Sequence, residues 1–290
     1  MANNTYQKIT DRILEQLDKG VIPWKKPWQT SGIWARSHVT GKEYSLLNQM
    51  LIDDSGEYIT FNQAKKEGGF VKKGAKGKTV TFWKMLVYKQ EESEETDKKE
   101  KAKKIPFLKT YTVFKIEDCD GITEKFPTPP LPDVAERIET AENIWREYCE
   151  REGIPVYEKE SARAFYSPTD DSVTIPTIQQ FYGTEDYYST LFHELVHSTL
   201  LRLGRPKPKS FGDKTYAEEE LTAEMGAAFL VARFGLNTEK QTEQNAAYID
   251  SWRKKISEDK NLVVVAAQRA EKAVNLILNI KKEENDENED

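Results

Sequence analysis

Cysteine and histidine are scarce in this chain of 290 residues, which holds two of the first and three of the second. Cys119 and Cys149 make no CxxC pair and fall in different predicted segments, so two reduced, partly buried thiols are expected. Long apolar runs are also missing. The longest near the C-terminus, Leu262 to Ala267, is far too short to cross a bilayer, so no membrane partner is expected. The opening stretch MANNTYQKITDRILEQLDKG is polar and amphipathic and lacks the apolar core of a signal peptide. These absences predict a cytoplasmic protein.

What is present is ordinary in bulk and uneven in detail. Hydrophobic residues at 38% and charged residues at 32% suit a globular protein, and the length favours two domains. Residues 1–126 carry 23 Lys+Arg against 18 Asp+Glu, a net +5; residues 127–290 carry 20 against 31, a net −11. Halves of opposite sign suggest different partners.

Pattern gives the organisation. Tyr6, Ile9, Ile13, Leu14 and Leu17 recur at helical spacing, and Gly20 ends that helix. Thr60 reads as the cap of a helix through Lys66, stopped by Gly68-Gly69. Thr79–Tyr88 reads as a strand from its β-branched and aromatic content, and should pair with a second strand over Ile105–Ile116. Between them residues 91–104 form a solvated charged loop. PTPPLP makes residues 127–133 a stiff linker between a domain over 1–126 and another over 134–281, with an acidic tail over 282–290. Beyond the linker a helix over Val134–Glu152, closed by Gly153, precedes three short strands. Helices follow over about Tyr187–Leu203, Ala217–Phe234, Glu243–Asp259 and Leu262–Lys281. The fold class is α+β: a mixed N-terminal domain and a mostly helical C-terminal domain with a small sheet.

The strongest motif is His193-Glu194-Leu195-Val196-His197. Residues i and i+4 share one face of a helix, so both imidazoles can reach one cation. Zinc suits imidazole ligands, although another divalent ion such as manganese is compatible with the same donors. Zinc lowers the pKa of bound water to about 7, and Glu194 can take the proton as general base. A catalytic zinc commonly has three protein ligands. The remaining histidine, His38, lies in the other domain, so a carboxylate on the next helix should be the third. Glu220 is the expected ligand and Glu219 the next candidate. Glu224, one turn on, is expected to accept an N–H from a metal-bound histidine. Glu218 and Glu219, at an acidic helix start, read more simply as partners of the helix dipole.

Residues 61–90 hold eight lysines and one acid, Glu67. Lys72, Lys73, Lys76 and Lys78 sit in a glycine-loosened loop leading to Trp83 and Lys84, while Trp24, Lys25, Lys26, Trp28 and Arg36 interleave aromatics with charge. Lysines attract phosphates and exposed aromatics stack on unpaired bases, so these residues are candidates to bind single-stranded nucleic acid without sequence preference. A loop kept for solubility, with tryptophans in the core, fits the same composition. No Walker loop is present.

YYSTLFHELVHSTL, FGDKTYAEEELTAEMGAAFL, AFYSPTDDSVTIP and NAAYIDSWRKKI resemble the C-terminal, zincin-like metallopeptidase domain of the ArdC-type antirestriction proteins. ILEQLDKGVIPWKKPW, TGKEYSLLN, YITFNQAKKEGGFVKKGAKGKTVTFWK and YTVFKIEDCDGI resemble that family's single-stranded-DNA-binding domain. The resemblance implies a plasmid- or phage-borne protein, acting in a bacterial cytoplasm, that binds single-stranded DNA and shields incoming DNA from host restriction. It also implies a metal held by His193, His197 and Glu220, with Glu194 as catalytic acid/base. Relatives continue past the second histidine with a Thr-Gly-His-like stretch, where this chain has Ser198-Thr199-Leu200-Leu201. Two other readings use the same residues. One is a cytosolic metalloprotease that cleaves a regulator or a host defence protein, the basic domain only recruiting substrate; its partner would be that protein substrate or a host restriction component. The other is a binding module whose metal merely holds helices together.

Overall fold

A computed structural model describes residues 2–24, 34–88, 103–127, 133–208, 213–236 and 246–281. Lys25, Lys26, Trp28, most of the charged loop, all but the ends of the proline linker and the acidic tail lie outside the described residues.

Helix α1 (Ala2–Asp18) opens the chain and buries the periodic positions Ile9, Ile13 and Leu17. A four-stranded sheet follows in the order β1-β2-β5-β4, formed by β1 (Arg36–Ser37), β2 (Glu57–Thr60), β4 (Lys78–Tyr88) and β5 (Lys103–Lys115). The expected hairpin is present: β4 runs antiparallel to β5 with Trp83 opposite Leu108. Thr60 caps α3 (Phe61–Lys66) in a reciprocal box, its side chain accepting from Gln63 N–H while the Gln63 side chain reaches back to the Thr60 backbone. The sequence pattern gave neither the short strands β1 and β2 nor α2 (Leu46–Ile52), nor a two-stranded ribbon of β3 (Phe70–Val71) with β6 (Cys119–Asp120). From α2, Asn48 donates to the Thr81 carbonyl and accepts the Thr81 N–H, at 2.8 and 2.7 Å, so a side-chain amide closes the outer edge of β4.

His38 is fully buried in this half. Its two ring nitrogens face Glu57 at 2.5 Å and Glu67 at 3.1 Å, and Glu57 also accepts the backbone N–H groups of Lys125 and Phe126. The residue is a structural tie between β2 and the chain leading to the linker.

Helix α4 (Val134–Glu152) ends on Gly153 in a left-handed conformation (φ 68°), a geometry that favours glycine. A three-stranded sheet follows in the order β7-β9-β8. Its centre, β9 (Ser172–Ile175), is wholly buried, parallel to β7 (Val156–Glu158) and antiparallel to β8 (Phe165–Ser167). Then come α5 (Thr184–Arg202), α6 (Lys214–Arg233), α7 (Ala246–Glu258) and α8 (Leu262–Ile277). Helices α5 and α6 each begin a turn earlier than the apolar spacing predicts. Their first turns, Thr184-Glu185-Asp186 and Lys214-Thr215-Tyr216, are mostly polar, and Asp213 caps α6 by accepting the Tyr216 N–H at 2.6 Å.

The two halves share part of their core. One continuous cluster joins Ile9, Ile13, Leu17, Trp24, Trp34 and Leu108 to the helices after the linker. Trp24 meets Trp252 edge-on at 6.1 Å, and Trp34 stacks on Phe229 at 5.5 Å. Smaller clusters, around Val80 with Val113 and around Ile59 with Ile116, belong to the N-terminal sheet alone. Among the described residues no helix is long and apolar enough to cross a membrane.

Candidate metal centre

Helix α5 is buried on most of its circumference, under α6 and α8 on one side and the β8-β9 sheet on the other. His193, Glu194 and His197 sit where that burial opens. The His193 and His197 Nε2 atoms lie 3.1 Å apart. Glu220, from α6, brings its carboxylate oxygens to 3.8 Å from His193 Nε2 and 3.7 Å from His197 Nε2. One ligand atom from each of the three residues falls within 4.8 Å of the others. Donors bound to a tetrahedral ion at 2.0–2.1 Å stand about 3.3 Å apart, so two imidazoles and a carboxylate at these spacings fit a divalent ion.

Small residues on α6 set this approach. Thr222, Ala223, Gly226 and Ala227 are all buried, and a Cβ added at Gly226 would lie 2.7 Å from the Val196 side chain on α5. Gly226→Ala is therefore expected to destabilise the fold by about 1–3 kcal/mol through overpacking. Urea unfolding of the variant checks this, and its metal affinity should fall as α6 carries Glu220 away from the imidazoles.

The histidines are oriented from behind. His197 Nδ1 lies 3.0 Å from Glu219 Oε1, which leaves Nε2 facing His193 and Glu220. Glu219, only 3% exposed, is held in turn by the Arg205 guanidinium through two bonds of 2.8 Å. Arg205 also donates to the Thr199 hydroxyl and the Val196 carbonyl. Glu219 thus does what was expected of Glu224, and it is not a solvated partner of the helix dipole. The charge of Glu224 is felt instead by Tyr248 and by Glu220. Glu218 is likewise engaged, paired to Arg269 at 2.7 Å. Sequence reasoning also missed Tyr216, one turn before Glu220, whose hydroxyl bonds that carboxylate. A usable signal existed: Glu219 shares a helix stripe with Thr222, Ala223 and Gly226, the small residues of a close helix contact.

Electrostatics follow from this packing. Burial holds the Glu194 carboxyl above the usual carboxylate range. Its Oε2 accepts the Tyr166 N–H from β8 at 2.8 Å. Burial also raises Glu220. Burial would raise Glu219 as well, but its bonds to His197 and Arg205 and their charges bring it below the ordinary value. For His197, burial alone would lower the pKa; the carboxylate of Glu219, then those of Glu194 and Glu220, raise it instead. In the stretch after His197, Ser198 bonds the Tyr148 hydroxyl at 2.9 Å and the Thr199 hydroxyl accepts from Arg205, so both serve the packing of α5.

The candidate nucleic-acid residues divide. Trp24 is 2% exposed, so it has no face to offer a base, and its expected stacking role is corrected: local interleaving with lysine does not reveal a core partner such as Trp252. Arg36 is half-buried on β1. Lys72 is tied to the Glu117 carbonyl at 2.8 Å. Lys73 and Lys76 are exposed, Lys78 begins β4, and Trp83 and Lys84 lie further along that strand.

The chain matches the model of the N-terminal domain of anti-restriction factor ArdC over residues 3–114 and that of a zincin-like metallopeptidase over residues 145–269. Fold and site together thus define an ArdC-type N-terminal domain joined to a zincin-like metallopeptidase domain. Two crystal structures of the antirestriction protein ArdC from plasmid R388, one Mn(II)-bound and one metal-free, are 32% identical to it. Each aligns with 94% of this chain, covering 97% and 96% of the plasmid protein with TM-scores of 0.71 and 0.69. The chain belongs to the ArdC antirestriction family. Two Escherichia coli proteins named DNA primase TraC are 32% identical over 94% of this chain, which spans only 27% and 20% of their length. The protein y4eC of Sinorhizobium fredii is 29% identical over 92% of the chain and 89% of its own length.

Proposed function

We propose that the chain protects incoming DNA from restriction in a bacterial cytoplasm, binding single-stranded DNA through residues 1–126 and holding a catalytic divalent metal in residues 134–281. The observation that carries the metal half is the convergence of His193, His197 and Glu220, with Nδ1 of His197 already committed to Glu219. The donor set suits zinc, and the Mn(II)-bound relative supports manganese as an alternative. Such an ion supplies a Lewis acid that polarises a carbonyl and acidifies water.

The chain's own groups supply the rest. Glu194 keeps Oε2 on the Tyr166 amide, so Oε1 is the oxygen left to take a proton. Burial holds that carboxyl above the ordinary range, and it is the basic group next to the metal donors. Tyr216 steadies Glu220, and Arg205 steadies Glu219, so that His197 holds one ring orientation. Basic charge at Lys73 and Lys76 supports the nucleic-acid half. The alternative, cleavage of a host protein with DNA binding only for recruitment, uses the same metal centre.

Two measurements on the purified full-length chain test this reading. Equilibrium dialysis against Zn2+ or Mn2+ should find one ion per chain, lost in the His193→Ala, His197→Ala double variant. An oligothymidylate should bind at low salt and dissociate as salt rises. A chain that takes up no ion, or that ignores the oligonucleotide at low salt, overturns the corresponding half.

A further inference from the structure

The side chains on one face of the β4-β5 hairpin alternate between buried and exposed. Lys78, Val80 and Phe82 share that face by the period of two, and the register sets Val80 opposite Tyr111 and Phe82 opposite Lys109. Val80 and Val113 pack with Ile52 of α2 and are lost to solvent. Phe82 and Tyr111 remain 46% and 36% exposed. Their rings meet edge-on at 5.5 Å, Tyr44 lies 6.3 Å from Phe82 on the far side, and Lys109 Nζ rides 4.7 Å above the Tyr111 ring. Three neighbouring aromatic rings, two of them open to solvent and with lysines on the same face, leave apolar area uncovered beside positive charge.

We propose that this face, formed by Tyr44, Lys78, Phe82, Lys109 and Tyr111, is the stacking platform on which a single strand of DNA lies. The proposal rests on the nucleic-acid half of the function above and names the surface that carries it. Charge complementarity favours this occupant: lysines meet phosphates while the exposed rings meet unpaired bases, which need no particular sequence. An extended peptide is disfavoured, because Asn48 already occupies the Thr81 N–H and carbonyl that strand addition at this point of the edge would need. With Trp24 and Trp34 in the core, the rings open for stacking here are phenylalanine and tyrosine.

The test is fluorescence anisotropy of a labelled oligothymidylate with the full-length chain across a salt series. Phe82→Ala with Tyr111→Ala should raise Kd by roughly 30-fold or more, from the loss of two stacked bases. Phe82→Trp should retain affinity. Lys78→Gln with Lys109→Gln should reduce the salt slope by about 0.7 per lysine that meets a phosphate. Thermal melts show whether each variant is folded, and the lysine pair, Lys78 half-buried and Lys109 exposed, keeps the test open if the aromatic pair does not fold. Wild-type binding with unchanged Kd in the folded aromatic variant, or an unchanged slope in the lysine variant, overturns the platform and leaves DNA binding standing. No wild-type binding at low salt overturns the nucleic-acid reading itself. A host protein captured on this face in place of the oligonucleotide would also count against it.

Discussion

Glu194→Gln is expected to reduce the proposed metal-dependent hydrolysis by roughly 10²–10⁴-fold without lowering metal uptake. Glutamine keeps the volume, and its amide oxygen can still accept the Tyr166 N–H that fixes the side chain against β8. What it loses is the basic oxygen. The two imidazoles and Glu220 are untouched, so metal content by mass spectrometry should equal that of the wild type. Transfer of unmodified DNA into a restricting host, measured in parallel, separates the biological readings. Full protection by the variant assigns the antirestriction role to binding, whereas lost protection with retained metal assigns it to catalysis. Loss of metal in the variant would refute the role given to Glu194, because it would make that residue a ligand.

Glu219→Ala should produce the largest loss of stability. Arg205 is only 7% exposed and spends two of its bonds on Glu219, so truncation strands a buried guanidinium at a cost of about 3–5 kcal/mol. Metal affinity should fall by roughly 10–100-fold as His197 loses the acceptor for its Nδ1–H. A second variant separates the two effects. Arg205→Met with Glu219→Leu removes both charges and should restore much of the stability while leaving metal affinity low. Denaturant unfolding and metal titration read the two quantities independently. Restored affinity in the double variant would show that the carboxylate does not orient the imidazole.

The difference between Glu220 and Glu219 marks where sequence reading stops. His193 and His197 are four residues apart on a strongly patterned helix, so their shared face follows from helix geometry alone. Glu220 follows from needing a third donor on the next helix. Glu219 pointed elsewhere because a carboxylate in the first turns of a helix has a cheap local explanation, and its true partner, Arg205, sits in a loop 14 residues earlier. Only tertiary packing brings the two together. Trp24 failed for the same reason. WKKPW shows that aromatics lie among charges along the chain, but Trp24 is buried against Trp252 of α7, more than two hundred residues away. Thr60 and the β4-β5 hairpin were legible because a capping box and strand alternation are written within a few residues. Helix α2 was not, since seven residues with six buried give no contrast between a polar and an apolar side.

The contact of α1 with α7, and of α2 with α8, gives the chain a single fate. Thr10 bonds the Lys260 carbonyl, Asp18 pairs with Arg253 and Glu43 with Arg233, so charge and hydroxyl seams rim the shared oily interior. Severing the molecule at its proline run would leave each fragment with a raw greasy scar where its neighbour had been. Either half exchanged alone would meet helices that no longer match its surface.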